Sequence, residues 1–269
     1  MKVTEQASNY DGLEHWQVFD LLTAINREDQ LVAFAVQKTI PVLTEMVEVI
    51  ADRLLAGGRL YYIGAGSSGR LAVVDASEMP PTFGVDPSLV QAVIAGGSKA
   101  MTSAVEFAED NETQGWEDLV NVGVDNSCFV LGVSASGSAP YVAGALRKCR
   151  ETGIATGALA CNTGSLIGSI AEHKLEVVTG PEFITGSTRM KAGTAQKMVL
   201  NMISTTVMIR LGRVEGNRMV DMQLTNQKLV DRGAAMVAQA ANLTADEARQ
   251  VLLKEGSVRK AINTLRTKK

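Results

Sequence analysis

Five short apolar runs, each ended by small or turn-forming residues, constrain what the middle of this chain can fold into. They occupy residues 60–64, 90–95, 128–133, 154–160 and 175–178. Helical stretches at 68–76, 98–109, 139–152 and 165–171 separate them. Because uninterrupted apolar strands that alternate with helices are typical of parallel sheets buried on both faces, we predict an α/β fold. The expected architecture is a Rossmann-like, five-stranded parallel sheet flanked by helices.

Helical patterns also lie on both sides of the predicted sheet. Apolar spacing predicts a helix over 30–55 that Pro41 breaks or kinks, and a long helix over about 188–211. In the tail, Thr244 followed three residues later by Glu247 is an N-cap signature, which predicts short helices there. We therefore expect three parts: an N-terminal helical arm (1–57), a sheet domain (58–222) and a small C-terminal helical appendage (223–269).

Composition and charge argue against several classes of function. The formal charge is -3 and aromatic residues make up 4% of the chain, with no Lys/Arg tract, so a nucleic-acid partner is not expected. No long apolar run and no signal-peptide pattern is present, so we expect a cytoplasmic protein without a membrane partner. Cys128, Cys149 and Cys161 lack a CxxC spacing and only two histidines exist, which predicts reduced, buried thiols and no metal site.

A glycine-rich turn follows the first predicted strand. Gly64, Gly66 and Gly69 match the GxGxxG pattern of dinucleotide-binding proteins. That pattern also needs an acidic residue at the end of the next strand, and residues 96–99 read Gly-Gly-Ser-Lys instead. We therefore interpret the turn as a site for one phosphate-sized anion. Backbone N–H groups and the hydroxyls of Ser67 and Ser68 would bind it.

A second serine-rich turn follows the third predicted strand, with Ser134, Ser136 and Ser138. Ligands of open parallel sheets bind at the carboxyl ends of strands, so two hydroxyl-rich turns there favour a phosphorylated small molecule. For either turn alone, ordinary helix N-caps would explain the serines. A third cluster opens the predicted long helix and adds positive charge: Ser187, Thr188 and Lys191.

Two glutamates stand out as candidates for acid–base chemistry. Glu78 lies at the end of a helix just before Pro80 and Pro81, which we expect to fix its backbone. Glu109 is predicted to lie late in the helix over 98–109. A carboxylate held in a cleft can act as a general acid or base, whereas most surface glutamates are simply solvated.

Long blocks of the sequence resemble the N-acetylmuramic acid 6-phosphate etherases, a family of the sugar isomerase (SIS) superfamily. The blocks are YIGAGSSGRLAVVDASEMPPTFGV, AVEFAEDN, GVSASGSAPYV and GPEFITGSTRMKAGTAQKMVLNMIST, followed by GNRMVDMQ. The N-terminal VTEQASNY and the helix with LLTAINREDQLVAFAV also fit. The resemblance covers nearly the whole chain and is far more specific than a lone glycine motif.

This resemblance implies an SIS fold, a homodimer and a lyase that needs no cofactor. The implied reaction cleaves the D-lactyl ether of N-acetylmuramic acid 6-phosphate by elimination and water addition, giving N-acetylglucosamine 6-phosphate and D-lactate. By family match, Glu78 is the proton donor and Glu109 the second catalytic acid. The implied substrate-binding residues are Ser67, Ser68, Ser134, Ser136, Ser138, Ser187, Thr188 and Lys191.

Two alternative functions share the same fold. An aldose–ketose sugar-phosphate isomerase would use the serine turns and a base at C2 but would not require Glu78. A non-catalytic sugar-phosphate-binding regulator could keep the turns and lose a carboxylate. The presence of both Glu78 and Glu109 favours the lyase.

Overall fold

The computed structural model describes residues 2–267, and its centre is one parallel sheet. The strands are β1 (Leu60–Gly64), β2 (Val90–Ile94), β3 (Phe129–Ser134), β4 (Ala155–Ala160) and β5 (His173–Glu176). Their order is β2-β1-β3-β4-β5, and every neighbouring pair is parallel. Every residue of β1, β3 and β4 is buried, as expected for a sheet covered on both faces. The predicted five-stranded parallel sheet is confirmed.

Helices precede, separate and follow these strands. They are α1 (Val18–Gln37), α2 (Ile40–Leu55), α3 (Gly66–Ser77), α4 (Met79–Phe83), α5 (Gln114–Asn121), α6 (Pro140–Glu151), α7 (Leu166–Ile170), α8 (Lys191–Arg210), α9 (Gln227–Ala241), α10 (Ala245–Glu255) and α11 (Val258–Thr267). Among the described residues, no helix is both long enough and apolar enough to cross a membrane.

The chain forms two compact units. The first contains the residues up to Ala76 together with Leu89–Val207, and the second contains Ser77–Ser88 together with the chain from Met208 onward. The predicted division into an arm, a sheet domain and an appendage stays a prediction. In the first unit the core includes Tyr61, Tyr141 and Leu146, all fully buried, and the three cysteines are free and buried as predicted.

The segment predicted as one helix over 30–55 belongs to two helices, α1 and α2. The first helix continues to Gln37, and the second begins at Ile40, with Pro41 in its first turn. Proline is well tolerated there, because the N–H it lacks would have no partner within the helix. Pro41 therefore marks the start of α2 rather than a break inside a longer helix.

The predicted helix over 98–109 is wrong. The segment contains two short 3-10 helices, Gly97–Met101 and Ala108–Asp110, joined by turns and bends. Gly96, Gly97 and Phe107 all have positive φ, +59° at Phe107, and this backbone conformation cannot continue a right-handed helix. The α-helix that precedes β3 is α5, which sequence patterning did not identify.

The second unit has a helical core and a small hairpin. Strands β6 (Val214–Glu215) and β7 (Arg218–Met219) pair antiparallel, and α9, α10 and α11 pack around a buried cluster that includes Val237 and Leu252. The predicted N-cap is confirmed as a capping box, in which Thr244 and Glu247 bond each other's backbone N–H. Residues Ser77–Ser88, which contain Pro80 and Pro81, belong to this second unit. The Gln223 N–H donates to Pro81 O at 3.1 Å.

The turn from β1 to α3 depends on a close backbone approach. A Cβ placed on Gly69 would lie 2.6 Å from Ile94 Cγ1 and 2.9 Å from Gly64 O. By contrast, a Cβ on Gly193, also within a helix, would meet its nearest neighbour at 3.5 Å. The third glycine of the GxGxxG pattern therefore lets α3 start directly against the sheet.

We expect Gly69→Ala and Gly193→Ala to shift stability in opposite directions. Gly69→Ala should lower the free energy of unfolding by about 1–3 kcal/mol through overpacking. Gly193→Ala should raise it by about 0.5–1 kcal/mol, because alanine is the better helix former. Urea unfolding followed by circular dichroism measures both. Shifts of the same sign in the two variants would contradict the close approach at Gly69.

Candidate functional site

The first serine turn lies where β1 passes into α3. Ser67 is half-buried, and Ser68 is buried with its Oγ donating to Gln196 Oε1 at 3.0 Å. Gln196 lies on α8 and is 1% exposed. Its Nε2 is buried and has no hydrogen-bond partner among the described residues. Sequence reasoning missed Gln196, because its contact with Ser68 joins positions 128 residues apart.

The second serine turn lies at the end of β3, next to the first. Gly64 at the end of β1 pairs with Val133 on β3, so the two turns leave the same edge of the sheet side by side. Ser136 Oγ lies 3.0 Å from Ser138 Oγ and 3.4 Å from Ser134 Oγ, and Ser134 Oγ accepts the Gly137 N–H at 3.1 Å. These hydroxyls can reorient their protons toward an anion, next to the N-terminus of α6.

A basic groove of about 480 Å³ lies beside the first turn. Ser67 lines it together with the side chains of Arg70, Arg189 and Lys197. Sequence patterning indicated positive charge after Thr188, and the groove adds cations from α3 and from the middle of α8. The groove offers a place where an anionic group could contact Ser67 and a positive charge together.

In the third predicted cluster, Ser187, Thr188 and Lys191, the lysine is paired with other residues of the chain. Ser187 and Thr188 are half-buried, whereas Lys191 is 2% exposed and its Nζ bonds Glu28 Oε2 at 2.5 Å. The Glu182 carboxylate accepts the backbone N–H groups of Lys191 and Ala192, both at 2.9 Å. A protein carboxylate therefore occupies the N-terminus of α8, and the charge of Lys191 is balanced by Glu28. A ligand role for Lys191 stays a prediction.

Glu109 follows β2 in the 3-10 helix Ala108–Asp110 and is exposed. Because β2 pairs with β1, the loop that carries Glu109 leaves the same edge of the sheet as the serine turns. The left-handed conformation of Phe107 directly precedes this short helix. The carboxylate is thus on a loop and not on the helix that was predicted.

Glu78 is exposed and occupies the N-cap position of α4, with its backbone carbonyl accepting the Thr82 N–H at 3.2 Å. The prolines that follow it form the first turn of this helix, and Gly84 ends it at a φ of +63°. A Cβ on Gly84 would lie 2.0 Å from Asp221 O. Only glycine therefore fits where this segment passes Asp221, and both belong to the second compact unit.

A buried carboxylate supports the helix that begins at the first turn. Asp75 on α3 is 2% exposed and accepts hydrogen bonds from Tyr62 and Ser204, both at 3.2 Å, while Lys197 Nζ lies 3.7 Å away. Burial raises the pKa of the Asp75 carboxyl, and the hydrogen bonds and Lys197 only partly oppose this. Since Lys197 also lines the basic groove, Asp75 helps to place that cation.

We expect Asp75→Asn to flatten the dependence of stability on pH. A folded pKa above the ordinary 3.8 means that the folded state binds the proton more tightly. The free energy of unfolding then falls as the pH rises through the window that begins near 3.8. Asp75→Asn removes this fall. Urea unfolding at closely spaced pH values from about 4 upward measures the slope.

Asp86→Asn is the matched control, because hydrogen bonds from Ser88 lower the pKa of Asp86 and place its titration below this window. An Asp75→Asn variant whose slope equals that of wild type would contradict the assigned shift.

Comparison with known proteins places the chain in a family. A family model described as the glucokinase regulatory protein N-terminal SIS domain matches residues 42–150, and one described as its C-terminal lid domain matches residues 216–265. An N-acetylmuramic acid 6-phosphate etherase of Porphyromonas gingivalis is 54% identical over 267 residues, 99% of this chain and 97% of the relative. The chain belongs to the N-acetylmuramic acid 6-phosphate etherase family. A Clostridium botulinum member is 46% identical, over 97% of this chain and 87% of its own length.

Solved structures confirm the fold of this etherase family member. The phosphoheptose isomerase GmhA of Neisseria gonorrhoeae aligns with a TM-score of 0.55 and 16% identity, covering 71% of this chain and 98% of that one. A phosphoheptose isomerase of Francisella tularensis aligns with a TM-score of 0.53 and 15% identity, covering 74% and 100%. At these identities the likeness concerns the SIS fold alone.

Proposed function

We propose that this chain is a lyase that cleaves the D-lactyl ether of N-acetylmuramic acid 6-phosphate, giving N-acetylglucosamine 6-phosphate and D-lactate. The observation that carries this is the 54% identity to the Porphyromonas gingivalis etherase over 99% of the chain. Relatives at 46–54% identity bear the same name, so the isomerase and regulator alternatives are not favoured.

The chemistry fits the residue types that the chain offers. In the open-chain sugar, the C1 aldehyde acidifies the C2–H bond, and the C3 ether oxygen is β to that carbonyl. A base takes the C2 proton, the C–H electron pair forms the C2=C3 bond, and the C3–O bond breaks as an acid protonates the lactate oxygen. Water then adds its oxygen at C3 and a proton at C2. Carboxyl groups can perform each of these proton transfers.

Glu78 is assigned the protonation of the departing lactate oxygen, and Glu109 the removal of the C2 proton. Two observations support a catalytic part for each glutamate: two prolines form the first turn of α4 directly after Glu78, and the loop of Glu109 leaves the edge where the serine turns lie. The substrate's phosphate and sugar are assigned to the two turns, at Ser67, Ser68, Ser134, Ser136 and Ser138, with Ser187, Thr188 and Lys191 completing the predicted set.

The test follows both lactate release and the exchange of the C2 proton. With N-acetylmuramic acid 6-phosphate in deuterated water, wild type should release D-lactate and incorporate deuterium at C2. Glu78→Gln should lower lactate release by roughly 10²–10⁴-fold while retaining C2 exchange. Glu109→Gln should lose both. An enzyme assay for D-lactate and proton NMR of the sugar provide the two measurements.

Glu112→Gln is the matched control, an exposed glutamate three residues after Glu109 that pairs with Arg147 and has no assigned role. Wild type that releases no lactate at high enzyme concentration would contradict the lyase activity. Loss of both signals in Glu78→Gln and not in Glu109→Gln would reverse the two roles.

A homodimer and a cytoplasmic location belong to the same proposal. Three large apolar side chains of α1, those of Phe19, Leu22 and Phe34, are 78%, 63% and 62% exposed. Large apolar side chains this exposed are candidates for an interface, and a second copy of this chain is the proposed partner. The free, buried cysteines agree with a reducing compartment.

Phe19→Glu should convert the proposed dimer to a monomer, because it places a charge at the most exposed of these apolar side chains. Light scattering should give twice the chain mass of 28.6 kDa for wild type and the single mass for the variant. Leu253→Glu is the control, since Leu253 is 55% exposed on α10, far from α1 in the sequence. A monomeric wild type at working concentration would rule out the dimer.

A further inference from the structure

Residues 2–8, here called the N-terminal strap, are hydrogen bonded to loops at the carboxyl edge of the sheet. Thr4 is fully buried; its N–H donates to Asn162 Oδ1 at 3.1 Å, and its Oγ1 accepts from Asn162 Nδ2 at 2.9 Å. At the other end of the strap, Ser8 Oγ donates to Phe183 O at 2.7 Å and Ser8 N–H donates to Thr185 Oγ1 at 2.9 Å. The strap is thus fixed at two points.

The amide of Asn162 also holds the second serine turn. Asn162 lies just after β4 and is 2% exposed. Its Nδ2 reaches the backbone carbonyls of Ala135 at 3.1 Å and Ser136 at 3.3 Å, in addition to Thr4. One buried side chain therefore bonds both the strap and the turn, which sets the position of one relative to the other.

This arrangement places the ammonium of Lys2 at the serine turn. Lys2 Nζ donates to Ser138 Oγ, which in turn contacts Ser136 Oγ at 3.0 Å. Residues 134–139 carry no charged side chain, so the turn itself offers an anion only hydroxyls and backbone N–H groups. Among the described residues, Lys2 is the one cation that hydrogen bonds to these serines.

We propose that Lys2 is a further binding residue for the substrate, and that it contacts the phosphate group. This inference rests on the proposed function and extends it by one residue. An ammonium group has three donors, of which Ser138 takes one, so the others remain for phosphate oxygens. Lys2 is exposed, which leaves its ammonium open to a ligand. The ammonium brings a full positive charge to the anion, which the serine hydroxyls lack.

The test compares Lys2→Met with Lys2→Arg. Lys2→Met should raise the KM for N-acetylmuramic acid 6-phosphate and the Kd for N-acetylglucosamine 6-phosphate by roughly tenfold, with kcat changed less than about twofold. Lys2→Arg should restore both constants to within about threefold of wild type, because it restores the charge. Affinity for unphosphorylated N-acetylglucosamine should be equal in all forms. Kinetics of D-lactate release and isothermal titration calorimetry supply these values.

Two further variants test whether a loss of affinity is specific to Lys2 and whether it depends on the attachment of the strap. Lys254→Met removes an exposed lysine from α10 and should leave KM and Kd unchanged. Thr4→Val removes one of the two bonds that hold the strap to Asn162, so it should raise KM when Lys2 is present and add little in Lys2→Met. Melting temperatures check that each variant is folded.

The outcomes distinguish the inference from the proposed function. If wild type releases lactate and Lys2→Met binds the phosphosugar within about twofold of wild type, the role of Lys2 is overturned and the lyase stands. If wild type binds the phosphosugar without releasing lactate and Lys2→Met loses that affinity, the lyase fails and the role of Lys2 stands. Wild type that does not bind the phosphosugar overturns both. An equal loss of kcat and affinity in Lys2→Met and Lys254→Met also overturns the role of Lys2.

Discussion

The parallel hydrogen bonding of β1 to β2 on one side and to β3 on the other is the constraint on which the rest of the structure depends. Parallel strands require a crossover after each strand, so every strand ends at the same edge of the sheet. Ser67 in the first turn of α3, Ser134 at the end of β3 and the loop that carries Glu109 therefore all follow from that edge, although the residues are far apart in the sequence. The direction of the strands therefore brings these polar side chains to one edge of the sheet.

Positive charge near the serine turns is limited, and part of it is balanced by carboxylates of the chain. The chain is acidic overall, with a net charge of -3, yet its proposed substrate is an anion. Some cations near the site are already balanced, as Lys191 is by Glu28 and as Lys197 partly is by Asp75. The groups proposed to attract this anion are the hydroxyls and backbone N–H groups of the serine turns, together with the exposed Lys2 and Arg189.

The sheet could be predicted from the sequence because its three central strands, β1, β3 and β4, are buried on both faces, which gives uninterrupted apolar runs with clear ends. The loop before Glu109 could not, because the left-handed backbone at Phe107 is a conformation that its residue type does not indicate. The ion pair between Lys191 and Glu28 could not be predicted either. Glu28 is 163 positions away, and no local pattern links the two. Local periodicity reveals elements, whereas polar pairs between distant elements appear only in the folded chain.

The double hydrogen bond between Thr4 and Asn162 has a consequence for the order of folding. It closes a loop of 158 residues, so its entropic cost is met only after the intervening strands have paired. During synthesis, the strap is made before β4 and can bond Asn162 only after the end of β4 has been made. The strap, which precedes the sheet in the sequence, is thus among the last segments to reach its final position. The contact between Lys2 and Ser138 can therefore form only after the sheet is in place.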